Sequence, residues 1–444
     1  MVIVDNTALD FNRKIKINFD GGDLTSDSGL LLIKEFADRI GLTALVRKIF
    51  KTNDHTKLRI HKDYENLMQA IYQIIAAYFE DDCADELKKD PAFAAILGKA
   101  ELASQPTLSR FWNRMDEDTL EQFNQMAVKM RQLIYLISRP VQVLFDLDTT
   151  LLNTYGKQEG SGFNSHYQAN GYHPLVCFDG LTGDLLKMEL RNGTQYCSKN
   201  VAEFIIPLLQ EYRNNHPGIE RYLRGDSGFA TPELYEACEL YNCKYAIRLK
   251  LNHVLIKLAE EKEKALYDAT LRNQVKYAVT YGEFMYQAKS WSHPRRVVFK
   301  IEKPYGQLQH LYTFVVTTFE DLRPDQVIRF YCGRGKMENF IKEGKLGFDF
   351  SSVSSHSMVV NANRLQAHGL AYNLFNWFRR LVLPICLRKI RIDTFRLRLL
   401  KIASKIVNSA RSTFFKFCSS FPYKKEFLET LANIQQLPIP PCIE

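Results

Sequence analysis

No apolar run in this 444-residue chain reaches the length of a membrane span. The longest, over residues 67–79, is broken by Gln69 and Gln73, whereas a spanning helix needs about 20 predominantly apolar residues. The stretch Met1-Val2-Ile3-Val4-Asp5-Asn6 has no basic segment followed by an apolar one, so no secretory leader is expected. Nine cysteines are scattered without a CxxC pair, and Cys238 with Cys243 makes a poor zinc half-site. An odd, dispersed set of thiols fits a reducing cytoplasm. His166, His173, His356 and His368 form no HxxxH pair and have no cysteine at ligand spacing. Neither Ser161 nor Ser227 sits in a GxSxG frame. No GxxxxGK[ST] follows Gly180-Leu181-Thr182-Gly183, which reads as a hairpin turn. Zinc, serine-hydrolase and P-loop chemistry therefore lack their sequence frames, and internal repeats and long low-complexity segments are absent too.

What is present is an ordinary globular composition, 46% apolar and 25% charged, long enough for two to four domains. The net charge of +9 is unevenly placed. Residues 361–444 hold 14 Lys+Arg against 4 Asp+Glu, a surplus of +10, while the preceding 360 residues sum to −1. A basic tail on a near-neutral body points to a polyanionic partner, most simply nucleic acid. The tail has apolar-periodic runs, so it is expected to fold.

After an extended start at residues 14–19, residues 1–139 read as mainly helical. Thr25-Ser26-Asp27-Ser28 offers N-caps for the apolar run that follows. The segment 106–114, Pro-Thr-Leu-Ser-Arg-Phe-Trp-Asn-Arg, fits either a DNA-reading helix-turn-helix or one helix of a plain bundle. At Pro140 the period changes. Residues 141–145 form a β-rich run leading into Asp146-Leu147-Asp148-Thr149-Thr150. Strands over 172–178 and 185–190 form a hairpin, a helix follows to about residue 215, and 221–226 is a strand ending on Asp226. Another helix begins at Thr231-Pro232, and 244–249 is the next strand. This β-β-β-α-β-α-β order predicts an α/β mixed sheet with helices on both faces. Residues 252–322 interrupt it with a charged helix and alternating stretches at 276–288, 296–301 and 311–317, read as a β-rich insertion. Helix resumes near Pro324, and everything from Asn361 to Pro438 reads as helical. The expected regions are thus 1–139, a core over 140–251 and 323–376 split by the insertion 252–322, and a basic tail 377–444.

Two features carry chemistry. On an extended strand Asp146 and Asp148 share a face, and Asp226 ends a neighbouring strand, the position where α/β sheets bind ligands. Further on, Tyr331, Arg334, Glu338 and Lys345 fall within an arc of roughly 60° on a helix turning about 100° per residue. One reading of that stripe is a solvated face of ion pairs. The other brings Glu338 to the strand-end acids. Three such carboxylates repel unless divalent cations neutralise them, and Mg²⁺ or Mn²⁺ suits all-oxygen ligands. The Arg224-Gly225-Asp226 tripeptide also matches an adhesion motif, which needs an extracellular loop that nothing else in the chain supports.

The run Tyr331-x2-Arg334-x3-Glu338-x6-Lys345 resembles the Y-R-E-K pattern of DDE transposases of bacterial insertion sequences. Phe145–Thr150 is similar to the block with the family's first acid, and Gly225-Asp226-Ser227-Gly228-Phe229 to that with its second. Leu24-Thr25-Ser26 within residues 19–42, and residues 396–411, resemble the thirteen-eighty branch. The likeness implies an RNase H-like core, a β-rich insertion and helical terminal regions. It implies a metal triad of Asp148, Asp226 and Glu338, with Asp148 chosen because the family acid directly precedes Thr-Thr; Asp146 stays a possible substitute. It further implies two ions per site, Mg²⁺ with Mn²⁺ substituting, and phosphate binding by Tyr331, Arg334 and Lys345. The activity implied is cleavage of terminal inverted repeats and joining of 3′-hydroxyl ends to target DNA, by a homodimer in a bacterial cytoplasm, associated with the nucleoid. Trp291 is a candidate for stacking a flipped base, or else a packed strand-end tryptophan. Arg388, Lys389, Arg391, Arg396, Arg398, Lys401 and Lys405 are expected at DNA phosphates. The rivals are a metal nuclease that cuts without joining, and a DNA-binding protein descended from a transposase.

Overall fold

Residues 142–149 alternate little because both faces of their strand are covered: Val143, Leu144, Phe145, Asp146 and Leu147 are all buried. This strand, β1 (Gln142–Thr149), lies inside an eight-stranded sheet with β2 (Leu175–Asp179), β3 (Leu185–Glu189), β4 (Glu220–Gly225), β5 (Lys244–Leu249), β6 (Ala278–Tyr286), β7 (Arg295–Lys303) and β8 (Leu311–Thr317). The spatial order is β6-β7-β8-β5-β4-β1-β2-β3. The trio β1, β4 and β5 is parallel, and the hairpin β2–β3 runs antiparallel to it along one side. On the other side β8 pairs antiparallel with β5, matching Ala246 to Thr317. The computed structural model describes residues 7–440 apart from 57, 274–276 and 308. The expected beginning of a strand at residue 276, and Met1–Asn6, lie outside them.

Helices cover both faces, as the element order predicts. On one face α1 (Val201–Asn215) and α2 (Pro232–Leu240) pack through Tyr212 against Phe145 and Tyr235 against Tyr245, at ring-centroid distances of 5.2 and 5.4 Å. After α3 (His253–Asn273) and the three antiparallel strands comes α4 (Pro324–Cys332), whose start is fixed by Pro324 in the first turn. Val327 and Ile328 of α4 pack on Ala246, Val298, Val315 and Phe319, with Tyr222 beside them. The mixed sheet with flanking helices is the RNase H-like arrangement expected from the sequence. Strands β6–β8 continue the same sheet as an antiparallel extension. The stretch between β1 and β2 forms a small three-stranded sheet, order Leu152–Asn153, Ala169–Tyr172, Gly162–Asn164.

The chain divides into two compact units, residues 138–346 with 350–365, which hold this sheet, and residues 1–137 with 347–349 and 366–444. In the latter, helices Leu30–Arg39, Leu42–Ile49, Asp63–Ala76, Pro91–Leu97, Gln105–Asn113 and Glu117–Ile137 pack around buried aromatic rings, with Phe36 edge-on to Phe378 at 5.4 Å. The segment offered as a DNA reader is the helix Gln105–Asn113, with Leu108, Phe111 and Trp112 buried. One expectation fails. The tail is not helical throughout, because Ser404–Ser409 and Ser412–Phe417 form an antiparallel hairpin to which Leu24–Thr25 adds a third strand. Its sequence carries the reason: Ile402, Ser404 and Ile406 are buried in alternation with exposed Ala403 and Lys405, a period of two that belongs to strands.

Candidate active site

Register sets the site in two tiers. Asp146 of β1 lies opposite Arg224 of β4 across a parallel pair. Two residues further along each strand, on the same face, stand Asp148 and Asp226. The inner tier is closed. Arg224 donates from Nε and Nη2 to the two Asp146 carboxylate oxygens at 2.6 and 2.5 Å, and from Nη1 to the Phe330 carbonyl at 2.7 Å. Asp146 is fully buried; burial pushes its carboxyl up, against the pull of Arg224. Both its oxygens are occupied by the guanidinium.

The outer tier is open to ligands. Asp148 accepts the Thr149 N–H on Oδ1 at 2.9 Å, and Asp226 accepts the Gly228 N–H on Oδ1 at 2.7 Å. Their remaining oxygens converge on Nη2 of Arg334, at 3.0 Å for Asp148 and 3.6 Å for Asp226. Arg334 also donates to the Leu147 carbonyl at 3.2 Å. It is placed there by the helix break: α4 stops at Cys332, Gly333 continues in right-handed conformation, and α5 (Gly335–Gly347) begins one residue after Arg334. Burial raises the Asp148 carboxyl to about 6, with Arg334 opposing and the charges of Asp226 and Glu338 adding to the rise. Burial works against the charge on Arg334, but Asp148 and Asp226 raise its pKa above the ordinary value. One guanidinium thus faces more carboxylate charge than it neutralises, and its Nε is buried with no partner in the structure.

Glu338 stands in the first turn of α5 with an exposed side chain. It acts on Asp148 through its charge, yet among the described residues no three acid, histidine or cysteine side chains are close enough to hold a metal ion. The carboxylate pair nevertheless suits a hard divalent cation. Its donors are oxygens, and the free oxygen of each acid is directed at a single positive group that a cation would replace. Tyr331 is half-buried at the end of α4; burial raises its hydroxyl, and the charges of Arg334, Arg248 and Asp226 act on it. Lys345 donates to the Leu151 carbonyl at 2.7 Å, and burial lowers its pKa.

A cavity of about 410 Å³ opens beside the pair, lined by Asp148, Asp226, Tyr167, His173, Cys197 and Lys250 among others. Burial lifts the Tyr167 hydroxyl to about 12, and it donates to the Thr149 carbonyl at 3.3 Å. A second cavity, about 300 Å³, shares Lys250 and Gly228 with the first and includes Trp291 in its wall. Trp291 is only 7% exposed, edge-on to Tyr235 and Tyr286 and under the Arg295 guanidinium at 5.5 Å. Sequence reasoning misses Arg224, Tyr167 and Lys250. Only the spacing of Arg224, two residues before Asp226 as Asp146 is before Asp148, carries a signal.

The tail cations lie in the other unit and differ in environment. Arg388, Lys389 and Arg391 are exposed, and Arg398 lies over the Tyr423 ring at 5.4 Å. Arg396 is buried and donates to the carbonyls of Ile74 and Ile75 at 2.9 and 2.8 Å, capping the helix Asp63–Ala76. Lys401 pairs with buried Asp27 at 2.6 Å, while Lys405 is exposed.

Paired strand-end carboxylates thus share one guanidinium, on a sheet followed by a helix that carries a further acid, a donor set of oxygens suited to a divalent cation. Residues 7–439 match the family model described as Transposase DDE domain group 1, so the chain belongs to the DDE transposase family. Members are transposase enzymes that use divalent metal ions. No curated protein matches the chain. Solved structures with a likeness include the cryo-EM piggyBac transposase synaptic complex with hairpin DNA, at 14% identity and a TM-score of 0.43, covering 93% of this chain and 86% of that one. The Mos1 transposase paired-end complex with the left transposon end shows 13% identity and a TM-score of 0.17 over 50% of this chain and 73% of its own. The assignment rests on the family match and not on these two. No helix among the described residues is long and apolar enough to cross a membrane.

Proposed function

We propose that the chain is a cut-and-paste DNA transposase of the thirteen-eighty branch, carrying the Y-R-E-K pattern on Tyr331, Arg334, Glu338 and Lys345. The observation that carries this reading is the convergence of the free oxygens of Asp148 and Asp226 on Arg334. Asp148 and Asp226 would hold the metal, with Glu338 as the third acid of the triad. Asp146 is no ligand, since Arg224 takes both of its oxygens. When bound, two Mg²⁺ or Mn²⁺ ions supply an activated attacking oxygen and stabilise the leaving oxygen of a phosphodiester. Arg334 grips a transposon-end phosphate with its unpartnered Nε and neighbouring donors. Lys345 adds a point charge and Tyr331 a hydroxyl. Trp291 packs its strand end; stacking on a flipped base would require opening the Tyr235–Tyr286–Arg295 box around it.

Residues 1–139 read the terminal inverted repeats. The basic tail contacts DNA through Arg388, Lys389, Arg391 and Arg398, and it joins two copies into a synaptic dimer in the bacterial cytoplasm, at the nucleoid. The deciding experiment is Glu338→Gln assayed on its own transposon ends with Mg²⁺: it binds the ends and leaves them uncut. Normal nicking by this variant would end the triad assignment. A pre-cut end with a free 3′-hydroxyl separates a transposase, which joins it to target DNA, from a nuclease, which does not.

A further inference from the structure

Beneath the acid pair lies a closed polar unit that no DNA or metal has to touch. Arg224 is 4% exposed and Asp146 fully buried, and burying an acid and a guanidinium together is costly unless every prong is matched. Here every prong has a role. Two donors of Arg224 take both oxygens of Asp146, a third takes the Phe330 carbonyl, and the guanidinium stacks at 5.3 Å over the Phe330 ring. Phe330 belongs to the last turn of α4, three residues before the break that aims Arg334. Arg224 therefore ties β1, β4 and the helix end into one rigid corner. Two glycines border it without needing positive φ. A Cβ at Gly333 would come within 2.6 Å of Arg224 Nη1, and one at Gly180 within 2.2 Å of Asp146 Oδ2.

We infer that Arg224, locked to Asp146, is a positioning residue that sets the helix break at Gly333 and so the approach of Arg334 and Glu338 to Asp148 and Asp226. This rests on the reading of those acids as the metal site. The chemistry of a phosphodiester transfer depends on ligands held to within a fraction of an ångström. A buried pair spanning strand and helix supplies that precision where two short helices meet at glycines.

Gly333→Ala is the informative variant. Its backbone is already right-handed helical, φ −60°, so alanine would on propensity alone be favoured there. A guanidinium end normally swings away from a new methyl group, but three hydrogen bonds pin this one. We expect Gly333→Ala and Arg224→Gln, in the full chain, each to weaken Mn²⁺ binding about tenfold by electron paramagnetic resonance. Cleavage kcat at saturating Mn²⁺ falls by a similar factor, while affinity for transposon-end DNA changes less than about twofold. Lysine at 224 has no Nη1 for the methyl group to strike. Gly333→Ala added to Arg224→Lys should then cause no further loss, a non-additivity that marks direct contact.

Independent, multiplying losses in that double variant would overturn the inference. So would unchanged Mn²⁺ affinity in Gly333→Ala, or a loss of melting temperature with the per-folded-molecule kcat intact. Should Arg224→Gln not fold, Gly333→Ala and the lysine pair decide alone. A wild-type chain that binds Mn²⁺ at Asp148 and Asp226 but cuts no DNA end would end the functional reading and leave this one standing, because Mn²⁺ affinity is read without DNA.

Discussion

Asp148→Asn should stabilise the metal-free protein while destroying its activity. Burial lifts the Asp148 carboxyl to about 6 from an ordinary 3.8. A carboxyl raised on folding penalises the folded state wherever it is ionised. Below the unfolded value both states carry the proton and there is no penalty. Between the two values the unfolded chain releases its proton first, and above the folded value the penalty is complete. A rise of that size corresponds to about 3 kcal/mol, at roughly 1.4 kcal/mol for each tenfold change in proton affinity. The side chain is 17% exposed, and relaxation of Arg334 reduces the figure further, so a gain of about 1–2 kcal/mol is expected at pH 8. For a unit of this size that is an increase in melting temperature of roughly 3–6 °C. Differential scanning calorimetry with EDTA measures it, and the gain at pH 5 should be about half that at pH 8. The same variant should leave transposon ends uncut. A lower melting temperature at pH 8, or a gain independent of pH, would refute the claim that burial of an under-compensated acid strains this site.

The wild-type chain should be stabilised by Mg²⁺ more at pH 8 than at pH 5, since a proton and the metal compete for Asp148; thermal shift measurements at both values check this, and Asp148→Asn should lose the response. Arg396→Ala removes two buried donations to the carbonyls of Ile74 and Ile75, and should cost about 3 kcal/mol or more in urea unfolding. Arg391→Ala, at an exposed position, should leave stability within about 0.5 kcal/mol and lower the salt dependence of DNA binding by about one phosphate contact. An Arg391→Ala protein with an unchanged salt slope would remove that residue from the DNA surface.

Much of this molecule is written in local pattern. Two-sided burial makes β1 a continuous apolar strand, the hairpin turn at Gly180–Gly183 is announced by its glycines, and Pro324 marks where α4 starts. The strand-end positions of Asp148 and Asp226, and the helical one of Glu338, follow from residue type and spacing alone. What spacing could not supply is pairing partners. Strand geometry alone treats Asp146 and Asp148 alike, both acids on one face of one strand, and only a family likeness favours the second; the register of β1 against β4 sets Arg224 opposite the first and leaves the second open to Arg334. The tail cations are equally alike in sequence, yet Arg396 ends up capping a helix some 320 residues earlier in the chain, a contact of tertiary origin. The hairpin at residues 404–417 escapes a local reading for a related reason: its alternation is short, and its third strand, Leu24–Thr25, comes from the other end of the chain. The sequence by itself determined which residues are ionisable and where the strands and helices of the main sheet fall, because those depend on neighbours a few positions away. The tertiary structure decided which charges are neutralised within the protein and which remain for metal and DNA, because burial and pairing are set by residues far apart along the chain.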